Sequence, residues 1–211
     1  MPSALSKLVQ VGGSALSPSL PSVEGWGKSI PSQLLSLLSL KNGFYAFESA
    51  LHVFPSLPSG MQVDGRSAEE WNTPSLWRER FSELDPGYFF FAEDVFGDQF
   101  FISEDGIGVF RAETGEVEEV ASSLESWAEV VLADFDLWAG YPIAHEWQKV
   151  NGELKAGMRL TPKIPFVVGG GYELCNLYAA EASKIMLFRA DFSAQIRDLP
   201  DGATVKISVI E

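Results

Sequence analysis

With Cys175 as its only cysteine, the chain cannot close an internal disulfide, and the apolar setting beside Leu174 suits a packed thiol in a reducing compartment. Its two histidines, His52 and His145, lie far apart, and neither CxxC nor HExxH spacing occurs, which excludes the usual zinc sites. No run of about 18 apolar residues exists to span a membrane. The opening "MPSALSKLVQVGGSALSPSL" has one lysine and no sustained apolar stretch, so it does not read as a secretory signal, and a cytoplasmic location is expected. Lys and Arg are scarce, 15 against 29 Asp and Glu, for a net charge of −14. Such a surface repels phosphate, which makes nucleic acid and anionic membranes poor partners and a basic protein a good one. The GxSxG nucleophile elbow is missing. Gly169-Gly170-Gly171 lacks the GK[ST] ending of a phosphate loop, and the clustered acids lack the ligand order of an EF-hand. A non-enzymatic protein without cofactor or metal is therefore expected.

What the chain does have is a core: 46% of its residues are hydrophobic and 12% aromatic. Its acidity sits in one part. Residues 1–139 hold 21 acids and 7 bases, whereas residues 140–211 hold 8 of each. Residues 1–28, rich in Ser, Pro and Gly, read as a loosely attached arm with a short helix around Leu5 to Val9. In "SIPSQLLSLLSLKNG", Ser29 and Pro31 open a helix and Asn42-Gly43 stops it. A strand is expected from Ala50 to Ser56. Ser67 and Glu70 have capping-box spacing, and a second helix runs from a Thr73 cap to Pro86-Gly87.

From Tyr88 to Ala121 the pattern changes to short aromatic and β-branched runs: 88–92, 99–103, 108–111 and 117–121. Gly97-Asp98, Asp105-Gly106 and Thr114-Gly115 break them, as in an antiparallel meander. Ser122, three residues before Glu125, opens a helix whose Leu124, Trp127, Val131, Leu132 and Phe135 form one stripe. Beyond Gly140 a strand is expected at Ile164–Val168, a helix near Asp191–Leu199, and a closing strand after Pro200-Asp201-Gly202. The whole reads as α+β, a central antiparallel meander flanked by helices: an arm (1–28), a main domain (29–140) and a C-terminal α/β extension (141–211) packed on the same domain.

One stretch stands out: "FFFAEDVFGDQFFIS", residues 89–103, sets phenylalanines against Glu93, Asp94 and Asp98. It reads as two strands whose aromatics build the core, joined by a turn that carries the acids outward. Trp77 and Trp127 fall on core stripes; Trp71 and Trp138 are less committed, with core packing the default reading and a role as interface anchors the alternative.

Two segments carry a family resemblance. "PSQLLSLLSLKNGFYAFESALHVFPS" is similar to the helix, Asn-Gly stop and strand of SUKH-superfamily proteins. "GYFFFAEDVFGDQFFISEDGIGVFRAETGEVEEVASSLESWAEVVL" resembles their central signature over about residues 30–140. The superfamily joins fungal Smi/Knr-type regulators with many bacterial proteins. The resemblance implies a binding fold without catalytic residues and, for bacterial members, an immunity role against a cognate toxin, frequently a basic nuclease. On that basis the expected partner contacts are Glu93, Asp94, Asp98, Glu104 and Asp105, with Trp71 as anchor. A regulatory scaffold binding housekeeping partners, or a hydrolase using Glu93 or Asp94, are the alternative readings.

Overall fold

Six short strands pair antiparallel in chain order: β1 (Phe44–Ala46), β2 (Leu51–Val53), β3 (Phe89–Glu93), β4 (Gln99–Ile102), β5 (Ile107–Arg111) and β6 (Glu116–Ala121). The computed structural model that gives this order describes residues 2–21, 32–58, 60–197 and 199–200. Trp26, the helix-opening Ser29 and Pro31, and the strand expected after Gly202 lie outside the described residues. The class is α+β, as expected, with a meander whose last turns fall at Asp105-Gly106 and Thr114-Gly115.

Helices cover both faces of this sheet. They are α1 (Ala4–Val11), α2 (Ser32–Leu40), α3 (Ala68–Trp71), α4 (Leu124–Ala133), α5 (Phe135–Trp138), α6 (Tyr141–Asn151) and α7 (Ala182–Ile196). Neighbouring side chains along a strand point to opposite faces. Phe91, Phe100 and Val109 therefore join one cluster with Leu8, Leu34, Leu37, Trp127 and Val131 from α1, α2 and α4. Phe90, Phe101 and Phe110 join the other, with Trp71, Trp77, Phe81, Met186 and Ala190. Burial on both sides is why β3 and β4 read as nearly unbroken apolar runs.

The capping box forms as expected: Ser67 Oγ accepts from Glu70 N, and Glu70 Oε2 accepts from Ser67 N. The helix expected after Thr73 does not. Two 3₁₀ turns, Pro74–Leu76 and Arg78–Arg80, flank Trp77, whose φ of −158° interrupts them. That break drops the indole, fully buried, among Trp71, Phe81, Phe90 and Phe110, and the burial outweighs continued helix. In α4 the capping residue is Ser123, not Ser122. Glu125 instead accepts the backbone N–H groups of Ala4 and Leu5 at the start of α1.

Beyond α6 the chain forms a two-stranded sheet, β7 (Met158–Pro162) and β8 (Leu177–Glu181), before α7. Residues 164–168, expected as a strand, hold a 3₁₀ turn at Phe166–Val168. The loop closes so tightly that a Cβ on Gly170 would meet the Ile164 carbonyl at 1.8 Å. Cys175 is exposed in the turn preceding β8, not packed as expected. The last helix, expected from Asp191, begins at Ala182.

Trp127 packs edge-on against Phe91 at 4.9 Å and Phe100 at 5.5 Å. Trp127→Ala is expected to cost about 3–5 kcal/mol in chemical denaturation. Val117→Ala, on exposed β6, should stay within about 0.5 kcal/mol. Similar losses for both would contradict this assignment of the core.

Candidate functional site

The end of β3 and the turn after it carry the acids that drew attention in the sequence, and two of them point inward. Register places Glu93 opposite both His52 on β2 and Gln99 on β4. Its carboxylate, 1% exposed, lies 3.0 Å from His52 Nδ1 and 2.9 Å from Arg159 Nε, and Gln99 Nε2 donates to it at 3.1 Å. Gln99 Oε1 in turn accepts from Trp71 Nε1 at 2.7 Å. Arg159, on β7, is fully buried. Its guanidinium donates to the carbonyls of Ser49 and Met158 and lies over the Tyr45 ring.

A buried carboxylate survives as an ion only when its partners replace water. Burial alone would push Glu93 up, but Arg159, His52 and Gln99 together hold it below the usual carboxylate range. His52 goes the other way: burial depresses it to about 4 against the pull of Glu93. At neutral pH it is therefore the neutral imidazole, with Nδ1–H donating to Glu93. Among the described residues its buried Nε2 faces no polar partner, which suits a lone pair better than a second N–H. Tyr45 stacks on the ring at 4.3 Å and Phe54 meets it edge-on at 4.5 Å, so this acid–base pair is sealed from any substrate.

Asp94 is also buried, 5% exposed, with Oδ1 accepting from the backbone N–H groups of Phe96 and Asp98. Burial, then the neighbouring Asp98 carboxylate, pushes it up to about 8. Asp98 is partly exposed. It accepts from Ala112 N and Arg111, and the buried Arg189 of α7 stands 4.0 Å away.

The expectation that this turn carries its acids outward is thus corrected for Glu93 and Asp94, and Trp71 is packed in the core at 1% exposure. For Glu93 the reason is long-range, since Arg159 comes from beyond residue 140 to meet its carboxylate, whereas Asp94 is held by the local N–H groups of Phe96 and Asp98, and Arg189 of α7 approaches the neighbouring Asp98. Neither arginine was singled out in the sequence. The available signal was a lone arginine inside an apolar strand, "MRLTP", and another inside an apolar helix, "IMLFRADF".

Glu104 and Asp105 do face solvent, in the β4–β5 turn, and β6 adds the exposed Glu116, Glu118 and Glu119. Asp105 and Glu119 rim a groove of about 370 Å³ floored by Tyr88, Phe101 and Gly108. Tyr88 stacks on Phe101 at 3.9 Å, and the Phe101 ring occupies the place a Gly108 side chain would need, 2.4 Å from its Cβ position. Among the described residues no Lys or Arg lines the groove. Among the described residues no group of three or more His, Cys, Asp or Glu is arranged to hold a metal ion, and no helix is long and apolar enough to cross a membrane.

The sequence model of the SMI1 / KNR4 family (SUKH-1) matches residues 24–130, half of the chain, and the chain belongs to that family. A search of curated proteins returns no match. Among solved structures, the crystal structure of Atu4351 from Agrobacterium tumefaciens is similar at a TM-score of 0.60 and 13% identity, covering 86% of each chain. At that identity the likeness concerns the fold alone. Its coverage extends past the family segment, whereas Arg159 and Arg189 fall outside residues 24–130.

Arg159→Met strands a buried carboxylate and is expected to cost about 3–5 kcal/mol, much of it recovered when Glu93→Gln is added. Additive losses in a double-mutant cycle, read by denaturant unfolding, would contradict the pairing. His52 should titrate near pH 4 by NMR. Because its folded pKa lies below the unfolded 6.5, its contribution to stability is present above about 6.5 and is lost as pH falls towards 4. Burial converts this to about 2 kcal/mol lost by pH 5. A midpoint near 6.5 would contradict the neutral, sealed imidazole.

Proposed function

We propose that this SMI1 / KNR4 family member is an immunity-type protein. It binds a cognate basic toxin domain, for instance a nuclease, in the cytoplasm and neutralises it by stoichiometric occlusion, without cofactor or catalysis. The observation that carries this reading is the exposed carboxylate field of the β4–β5 turn and β6. Glu104, Asp105, Glu116 and Glu119 form no ion pair among the described residues, and only Glu118 is answered, by Arg111 at 2.9 Å.

A toxin that grips phosphate must present cationic groups, and these carboxylates attract them over distances comparable to the Debye length, about 8 Å at physiological salt. Of the residues singled out in the sequence, Glu104 and Asp105 serve as contacts, and Asp98, partly exposed and paired with Arg111, borders them. Glu93, Asp94 and Trp71 act from inside, fixing the hairpin that presents them. The hydrolase alternative would need a reachable carboxylate at Glu93 or Asp94, and both are buried.

The test pairs the protein with a basic toxin domain encoded by a neighbouring gene, the arrangement that the immunity reading requires. A stoichiometric amount should abolish its activity, and Asp105→Lys/Glu119→Lys should slow association about tenfold or more at low salt with little change in melting. Full toxin activity at saturating protein would overturn the immunity reading. An unchanged association rate at low salt would overturn the steering role of this field.

A further inference from the structure

We infer that β6 is a docking edge: an extended basic segment of the partner adds to it as a seventh strand and sets an apolar side chain in the Tyr88–Phe101 groove. This deepens the immunity reading and rests on it for the basic character of the partner.

The two edges of the sheet are treated differently. β1 is covered, since Gly13 N donates to Tyr45 O at 2.8 Å, Leu16 N to Gly43 O at 2.9 Å and Ser17 N to Asn42 O at 3.0 Å. β6 closes the strand order on the other side, and among the described residues no backbone hydrogen bond reaches its outer edge. Its residues 116 to 119 are exposed in succession, Val117 at 46%. An open edge is a template for one more strand, and chains usually blunt or cover it.

Charge decides which strand fits. A second copy would lay Glu116, Glu118 and Glu119 against their own kind, and like charges set opposite each other destabilise a ladder. An alternating basic and apolar segment meets the same carboxylates with lysine or arginine. Its apolar residues can reach the floor of Tyr88, Phe101 and bare Gly108, where the lining acids are Asp105 and Glu119. Repulsion of like chains and attraction of cationic ones come from one set of side chains.

The probe is a synthetic ten-residue peptide of alternating lysine and valine, compared with the same peptide N-methylated at every second residue. The N-methylated form keeps the charge but cannot complete edge hydrogen bonds. Amide exchange and NMR shifts are read on the intact chain at low salt. The inference expects the first peptide to protect amides of residues 116–121 and shift Tyr88 and Phe101, and the methylated one to bind at least about tenfold more weakly. Equal binding of both would overturn strand addition in favour of charge alone, and binding to neither, or protection elsewhere, would overturn it outright. Toxin inhibition without protection of β6 would remove the docking edge and leave the immunity reading standing. Peptide addition without toxin inhibition would do the reverse.

Discussion

Much of the architecture depends on the buried ion pair between Glu93 and Arg159. A carboxylate at the end of a central strand, 1% exposed, is tolerable only where water has been replaced by other partners. Arg159 supplies the charge, His52 and Gln99 the remaining bonds. Arg189 makes a looser contact, 4.0 Å, with the partly exposed Asp98. Both arginines belong to the part of the chain beyond residue 140, so the acidic hairpin and the C-terminal elements complete each other. The β1–β2 loop is drawn into the same arrangement. Phe47, Glu48 and Ser49 all have positive φ, a conformation that costs each non-glycine residue about 1 kcal/mol. Arg159 holds the Ser49 carbonyl, and Gln148 and His145 of α6 hold Glu48.

The parts of the fold that were legible in the sequence were those set by local chemistry. β3 to β6 and α4 could be read because their turns carry Gly with Asp or Thr and their aromatics recur with the right periods. The Ser67–Glu70 capping box was legible for the same reason. The hairpin through residues 47–49 was not, because it uses left-handed residues without glycine. The helix expected after Thr73 gave way to the burial of Trp77, a tertiary demand that propensity does not register. Glu93 looked like a surface acid because the arginine that keeps it company, Arg159, lies 66 positions further on, and Asp94 because its inward turn rests on backbone N–H groups of Phe96 and Asp98 that composition does not register. Sequence spacing carries no trace of such a pairing.

Separating inner from outer carboxylates sharpens the function. The net charge of −14 does not act as one undifferentiated patch. Its inner members are neutralised and structural, and its outer members at Glu104, Asp105 and along β6 remain available to a cationic partner. In this account affinity comes from the edge and the groove, and encounter rate from the surrounding field.

Residue-resolved native-state hydrogen exchange tests the central claim, that the acidic hairpin and the C-terminal arginines form one cooperative unit. The account predicts that amides of β7 around Arg159 and of α7 around Arg189 exchange with the same opening free energy and denaturant dependence as Phe90 and Phe91 in β3. Exchange of β7 and α7 at a markedly lower opening free energy, with β3 still protected, would contradict it.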